Sequence, residues 1–193
     1  MRFAPLKTVL VAACVGVAAT ASACGGHEKV TEAKTEGGYV DVGTVAYQVQ
    51  ISRTLNPSLP EDKSYLVGIP AADKKPLTPD EQWFAVFVRG QNFGDKPQPL
   101  VTKFRVIDTE GTTWDPIKLD TETNTLAWNP TAQLDPTFIY PDPSSISGTG
   151  PVRQGSLLLF RLDNSIYQNR PLVLELFDPA GGKEPVAEIP LDL

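Results

Sequence analysis

WFAVFVR, residues 83–89, joins aromatic and β-branched side chains with no polar residue before Arg89. A short, unbroken apolar run of this composition reads as a central strand covered on both faces. The neighbouring VAYQVQISR, residues 45–53, has a different pattern: Val45, Tyr47, Val49 and Ile51 alternate with Ala46, Gln48, Gln50 and Ser52. Period-two alternation marks a half-buried strand with one apolar face inward. Together the two stretches predict a sheet with a buried centre, and the rest of the chain extends the pattern.

Residues 100–108 (LVTKFRVID) alternate again, with Phe104 and Val106 on one side. Thr109-Glu110-Gly111 forms a hairpin turn, Gly111 supplying the positive φ it needs. The return strand over 112–119 is broken by Asp115-Pro116, which places it at a sheet edge. Further strands are expected over 155–162, 171–177 and 185–193, with one helical turn over 165–169. Residues 54–81 are rich in Pro, Asp, Lys and Ser, and 65–69 reads as a short edge strand closed by Pro70. Residues 120–153 are the least regular part, since each Asp-Pro pair holds the residue before proline out of helical geometry. No segment beyond the leader carries a sustained helical stripe. The expected fold class is all-β: an immunoglobulin-like antiparallel β-sandwich of about seven strands.

The N-terminus is read separately. Arg2 and Lys7 precede an apolar stretch over 8–20, and Ala21-Ser22-Ala23 then leads to Cys24. This is a signal-peptide layout ending in a lipobox-like triplet. The apolar stretch is short for a span, which needs roughly 20 residues. The only cysteines are Cys14 and Cys24, so cleavage before Cys24 leaves a single thiol with nothing to pair with. Lipidation of Cys24 explains it; plain secretion is the alternative. Residues 1–23 are thus expected to be a lipoprotein signal peptide, 24–38 the lipidated cysteine and a flexible tether, and 39–193 the sandwich. A coil the length of residues 25–38 spans on the order of 20 Å.

Loss of Arg2 and Lys7 takes the formal net charge from −6 to −8. The remaining basic residues are scattered, which argues against nucleic acid, and an acidic surface is repelled by anionic headgroups. Membrane contact is therefore expected through the N-terminal lipid only.

WFAVFVRGQN, FRVIDTEGTTW and GSLLLFRL followed by PLVLEL, within residues 40–180, resemble the telokin-like, immunoglobulin-fold surface lipoprotein domains of Gram-positive bacteria. The resemblance implies a sandwich fold and a cell-surface location, and it brings no catalytic residues with it.

The single histidine, His27, lies three residues past Cys24. The sandwich therefore lacks the imidazole that triads, zinc hydrolases and most copper sites require. No cofactor and no metal centre is expected, although Asp108, Glu110 and Asp115 gather near the hairpin as a candidate weak cation site. Trp114, Trp128, Phe138 and Tyr140 lie among Pro and Asp as a candidate binding surface. These observations lead to a non-enzymatic, lipid-anchored extracytoplasmic module that engages a protein or cell-wall partner through 120–153. Its rivals are a small-ligand or cation-binding carrier, which needs a pocket between the sheets, and a glycan hydrolase, which needs two facing acids.

Overall fold

In the computed structural model, which describes residues 28–149 and 155–192, Val45–Leu55 (β2) and Glu81–Asn92 (β3) form the centre of one sheet. Tyr39–Val42 (β1) pairs with β2, and Ser156–Asp163 (β9) pairs with the other side of β3. Ile139–Tyr140 (β8) adds a short pairing at Gly90 and Gln91. The second sheet runs Pro185–Leu191 (β11), Leu172–Phe177 (β10), Phe104–Ile107 (β5), Thr113–Trp114 (β6). Gln98–Pro99 (β4) and Gln133–Leu134 (β7) make a separate two-stranded piece. All strand pairings are antiparallel. Pairing β3 with β9 in one sheet, and β10 with both β5 and β11 in the other, is the immunoglobulin-like sandwich arrangement. The described residues hold eleven strands against the expected seven because four of them, β4, β6, β7 and β8, are only two residues long.

The unbroken run in β3 follows from two cores. Phe84, Val86 and Val88 point between the sheets and meet Leu158, Phe160, Phe104 and Leu174. Trp83, Ala85 and Phe87 face the other way, into a second cluster with Tyr65, Ile69, Leu126, Leu157 and Leu159. Burial on both faces removes the polar half of the alternation. The cover over this outer face corrects the edge strand expected at 65–69. Pro60–Lys63 is a single α-helical turn that continues into a 3-10 turn, Ser64–Leu66, and Gly68 at φ 74 then reverses the chain. Tyr65 lies edge-on to Phe87 at 5.2 Å. Burying one aromatic ring on the sheet outweighs adding a strand to its edge.

The alternation in β2 also has a break. The register against β3 shifts between Val49 and Ile51, so Val49 packs between the sheets while Ile51 joins the outer cluster. One extra residue in a strand moves every later side chain to the opposite face.

Part of the expected tether belongs to the fold. Ala33 is buried, its N–H donates to Glu188 O (2.9 Å), and Glu188 N–H donates to Thr31 O (2.9 Å). The Glu36 carboxylate accepts from Ser52 N–H (2.6 Å), Ser52 Oγ–H (2.5 Å) and Asp192 N–H (2.7 Å). Residues 30–36 therefore close the seam between β1 and β11. Cys24 and the signal segment lie outside the described residues.

The hairpin keeps its place, although the return strand expected over 112–119 is paired only at Thr113–Trp114 because Asp115-Pro116 turns the chain out of the sheet. Asp108 N–H bonds Thr112 O (3.1 Å) across the hairpin, Gly111 sits at φ 83, β6 is an edge strand, and a 3-10 turn, Asn164–Tyr167, links β9 to β10.

Candidate functional site

Beyond Trp114 the chain leaves the second sheet and crosses the free edge of β9, where Ile117 N–H donates to Leu159 O (2.7 Å). It then covers the outer face as far as Leu126 and returns along the same edge. Leu157 N–H donates to Leu126 O (2.8 Å), and Trp128 N–H donates to Leu157 O (2.9 Å). Covering an edge strand in this way blocks further pairing. Asn124 holds the crossing in place: its amide Nδ2 donates to Tyr65 O (3.1 Å) and Val67 O (3.0 Å), and its Oδ1 accepts from Leu126 N–H (3.1 Å).

Between the outgoing residues 115–119 and the returning 127–130 lies a groove of about 550 Å³. Phe104 of one sheet, Leu158 of the other and Trp128 between them form its apolar base; Pro116, Ile117, Leu119, Ala127 and Pro130 line it further. Its charged lining residues are Lys103, Asp115 and Lys118, all exposed. The Lys103 ammonium lies 3.9 Å from the Phe177 ring centroid. Ile117 and Leu119, on either side of Lys118, are the sequence signal for this groove, although their alternation reads as a return strand.

The four aromatics do not form one platform. Trp128 is buried, lies 5.3 Å from Phe104 and 5.0 Å from Tyr140 in edge-on contacts, and donates its indole N–H to Val101 O (2.9 Å). It closes the open side of the core, because a buried indole gains most when its ring is covered and its N–H satisfied. The Tyr140 hydroxyl accepts Asn129 N–H (3.0 Å), and half-buried Trp114 donates to Asp163 Oδ2 (3.2 Å). Only Phe138 of the four is exposed, at 58%.

The carboxylates separate in the same way. Asp108 Oδ1 accepts from Glu110 N–H (3.0 Å) and Thr112 N–H (2.8 Å), and Oδ2 accepts from the Asn169 amide (3.0 Å). Burial acts to raise the Asp108 pKa, and these three donors more than offset it, leaving the group below the usual carboxylate range. Its oxygens serve the hairpin, so Asp108, Glu110 and Asp115 do not make a cation site. Among the described residues no group of three or more His, Cys, Asp or Glu side chains is placed to hold a metal ion. Asp115 is the one acid among the groove residues, where a glycosidase would need a pair.

No protein-family profile and no curated protein matches the chain. Among solved structures it is similar to an uncharacterized β-sandwich protein from Clostridium difficile 630, with 9% identity over 86% of this chain and 97% of the other, at a TM-score of 0.45. It is also similar to a conserved hypothetical protein from Bacillus anthracis, with 9% identity over 79% of this chain and 94% of the other, again at 0.45. Both likenesses are of outline, too distant to carry a function from one chain to another.

Proposed function

We propose that this protein is a lipid-anchored, extracytoplasmic binding module without catalytic chemistry, and that its ligand places an apolar group in the groove over Phe104, Trp128 and Leu158. The groove is the observation that carries the reading: an opening of about 550 Å³ falls within the range of small-ligand sites, roughly 300–1,000 Å³. Its base is apolar and its exposed rim offers two lysines against one aspartate, which favours an amphiphile with an anionic end. The lone histidine at position 27, outside the described residues, supports the non-catalytic part. The lipobox-like triplet before Cys24 and the telokin-like motifs support the anchored, cell-surface placement.

Titration with a long-chain carboxylate, read through tryptophan emission, tests the proposal. Trp128 lines the groove, so saturable binding should shift its emission, and Lys118→Glu should weaken affinity about tenfold by setting a like charge near the carboxylate. Absence of any saturable change overturns the groove as a ligand site. A second reading, a protein or cell-wall partner engaging residues 120–153, is favoured by Ile146, which is 64% exposed and lines a shallow hollow with Val67.

A further inference from the structure

Asn92, the last residue of β3, is fully buried and binds three loops at once. Its Nδ2 donates to Lys96 O (2.8 Å) and Leu134 O (2.9 Å), while Oδ1 accepts from Gly94 N–H (2.8 Å) and Thr44 Oγ1–H (3.0 Å). The backbone adds Phe93 N–H to Thr44 O (2.9 Å), Asn92 N–H to Phe138 O (3.1 Å) and Thr137 N–H to Asn92 O (3.0 Å). This end of the sandwich is therefore held firmly, yet it displays Phe93 at 67% and Phe138 at 58% exposure. A single exposed ring needs no explanation. Two phenylalanines on adjacent loops gathered by one buried asparagine form a prepared apolar surface.

The N-terminal chain reaches the fold at this same end. Val30 N–H donates to Asp41 Oδ2 (2.9 Å), and Lys29 lines a hollow of about 440 Å³ with Asp41, Gly43, Thr44 and Phe93. Val30 itself is 40% exposed. Four peptide units separate Cys24 from Glu28 and can span no more than about 14 Å. The polar layer on each side of a bilayer is roughly 5–8 Å deep. An acyl chain on Cys24 would thus bring the Phe93 end against the headgroups. The rings carry this contact and charge does not, since Lys29 and Lys96 at this end are outnumbered by Glu28, Asp41, Asp95 and Asp135, a balance that suits zwitterionic headgroups better than anionic ones.

We infer that this end rests on the outer surface of the lipid bilayer, with the Phe93 and Phe138 rings seated at the boundary between headgroups and acyl chains. The reach that brings this end to the bilayer rests on the proposed acylation of Cys24, while the ring contact itself is read separately. It adds a second, protein-borne contact to the lipid anchor, and it fixes the orientation in which the groove is presented.

The mature protein, purified from membranes, is reconstituted into phosphatidylcholine vesicles in which part of the lipid carries bromine on its acyl chains. Phe93→Trp and Phe138→Trp are compared with Tyr167→Trp at the opposite end, where the Tyr167 hydroxyl bonds Gln82 (2.9 Å). Wild-type emission supplies the common background. The emission added at positions 93 and 138 should fall in brominated vesicles, while that at 167 should not. Equal quenching at all three positions, or none at 93 and 138 in protein that floats with vesicles, overturns the surface. Emission at 93 shielded from aqueous acrylamide yet untouched by bromolipid would assign the patch to a second copy of the chain, again overturning it. Mass spectrometry of the N-terminus tests the anchor separately. An unacylated Cys24 with quenching intact removes the anchor and leaves the surface standing.

Discussion

Trp128 and Val101 are joined by a 2.9 Å hydrogen bond from the indole N–H to the main-chain carbonyl, in the gap between the two sheets. The bond fastens the returning part of the crossing segment to the core beside the groove.

Trp128→Ala removes the ring packed on Phe104 and Tyr140 and orphans the Val101 carbonyl, and it should lower stability by about 3–5 kcal/mol. Trp128→Phe keeps most of the packing and should lose about 1–3 kcal/mol, the cost of an unsatisfied buried acceptor. Denaturant midpoints measure both. A wild-type midpoint for the alanine variant would remove Trp128 from the core.

Glu36 gathers donors from two distant segments, Ser52 and Asp192, in a part of the chain whose composition suggests a linker. Glu36→Ala should release residues 30–36 from the seam and destabilise by about 1–3 kcal/mol. Hydrogen exchange provides the local test, because the Ala33 and Glu188 amides bond across that seam and should lose protection first. Unchanged protection at both would show that the clasp holds nothing.

The main architecture is legible because it is written in side-chain periodicity. WFAVFVR requires two covered faces, and the hairpin closed by Gly111 requires one turn. The features that stay hidden depend on single polar groups acting over long sequence distances. Asn92, Asn124 and Glu36 look like ordinary loop or strand-end residues, yet each satisfies backbone groups from segments far away in the chain. The bulge at Gln50 is silent in a period-two pattern until the partner strand fixes the register. The aromatics among prolines stand out in the sequence, but whether an indole turns inward depends on a carbonyl 27 residues away.

Glu81 predicts a pH dependence. The Arg161 guanidinium bonds its carboxylate (2.6 Å) and Thr78 N–H adds a second donor (2.8 Å), holding the Glu81 pKa down to about 2. A depressed folded-state pKa stabilises above the unfolded value, about 4.3 for glutamate, and the contribution fades as pH falls toward 2. Wild type should therefore exceed Glu81→Gln in urea midpoint at pH 6, and the two should converge on acidification. A constant gap across that range would assign the difference to packing and not to charge.

Two glycines separate crowding from backbone conformation. Gly155 precedes β9, and a Cβ there would lie 2.8 Å from the Phe87 carbonyl carbon and 2.9 Å from Val88 N, closer than real side chains approach a backbone. Gly111 has open space around it but sits at φ 83, a conformation that asparagine tolerates better than most side chains. Gly155→Ala should push β9 away from β3 and destabilise by about 1–3 kcal/mol, and a larger residue should do worse. Gly111→Asn should stay within about 0.5 kcal/mol of wild type, while Gly111→Ala loses about 1 kcal/mol. The groove adds a second readout, since Leu157 and Leu158, one and two residues beyond Ser156, line it. Gly155→Ala should therefore also weaken capture of a long-chain carboxylate, and neither Gly111 variant should. If Gly155→Ala matched wild type in both measurements, β9 would have to lie farther from Phe87 than it does, and the groove would be bounded differently.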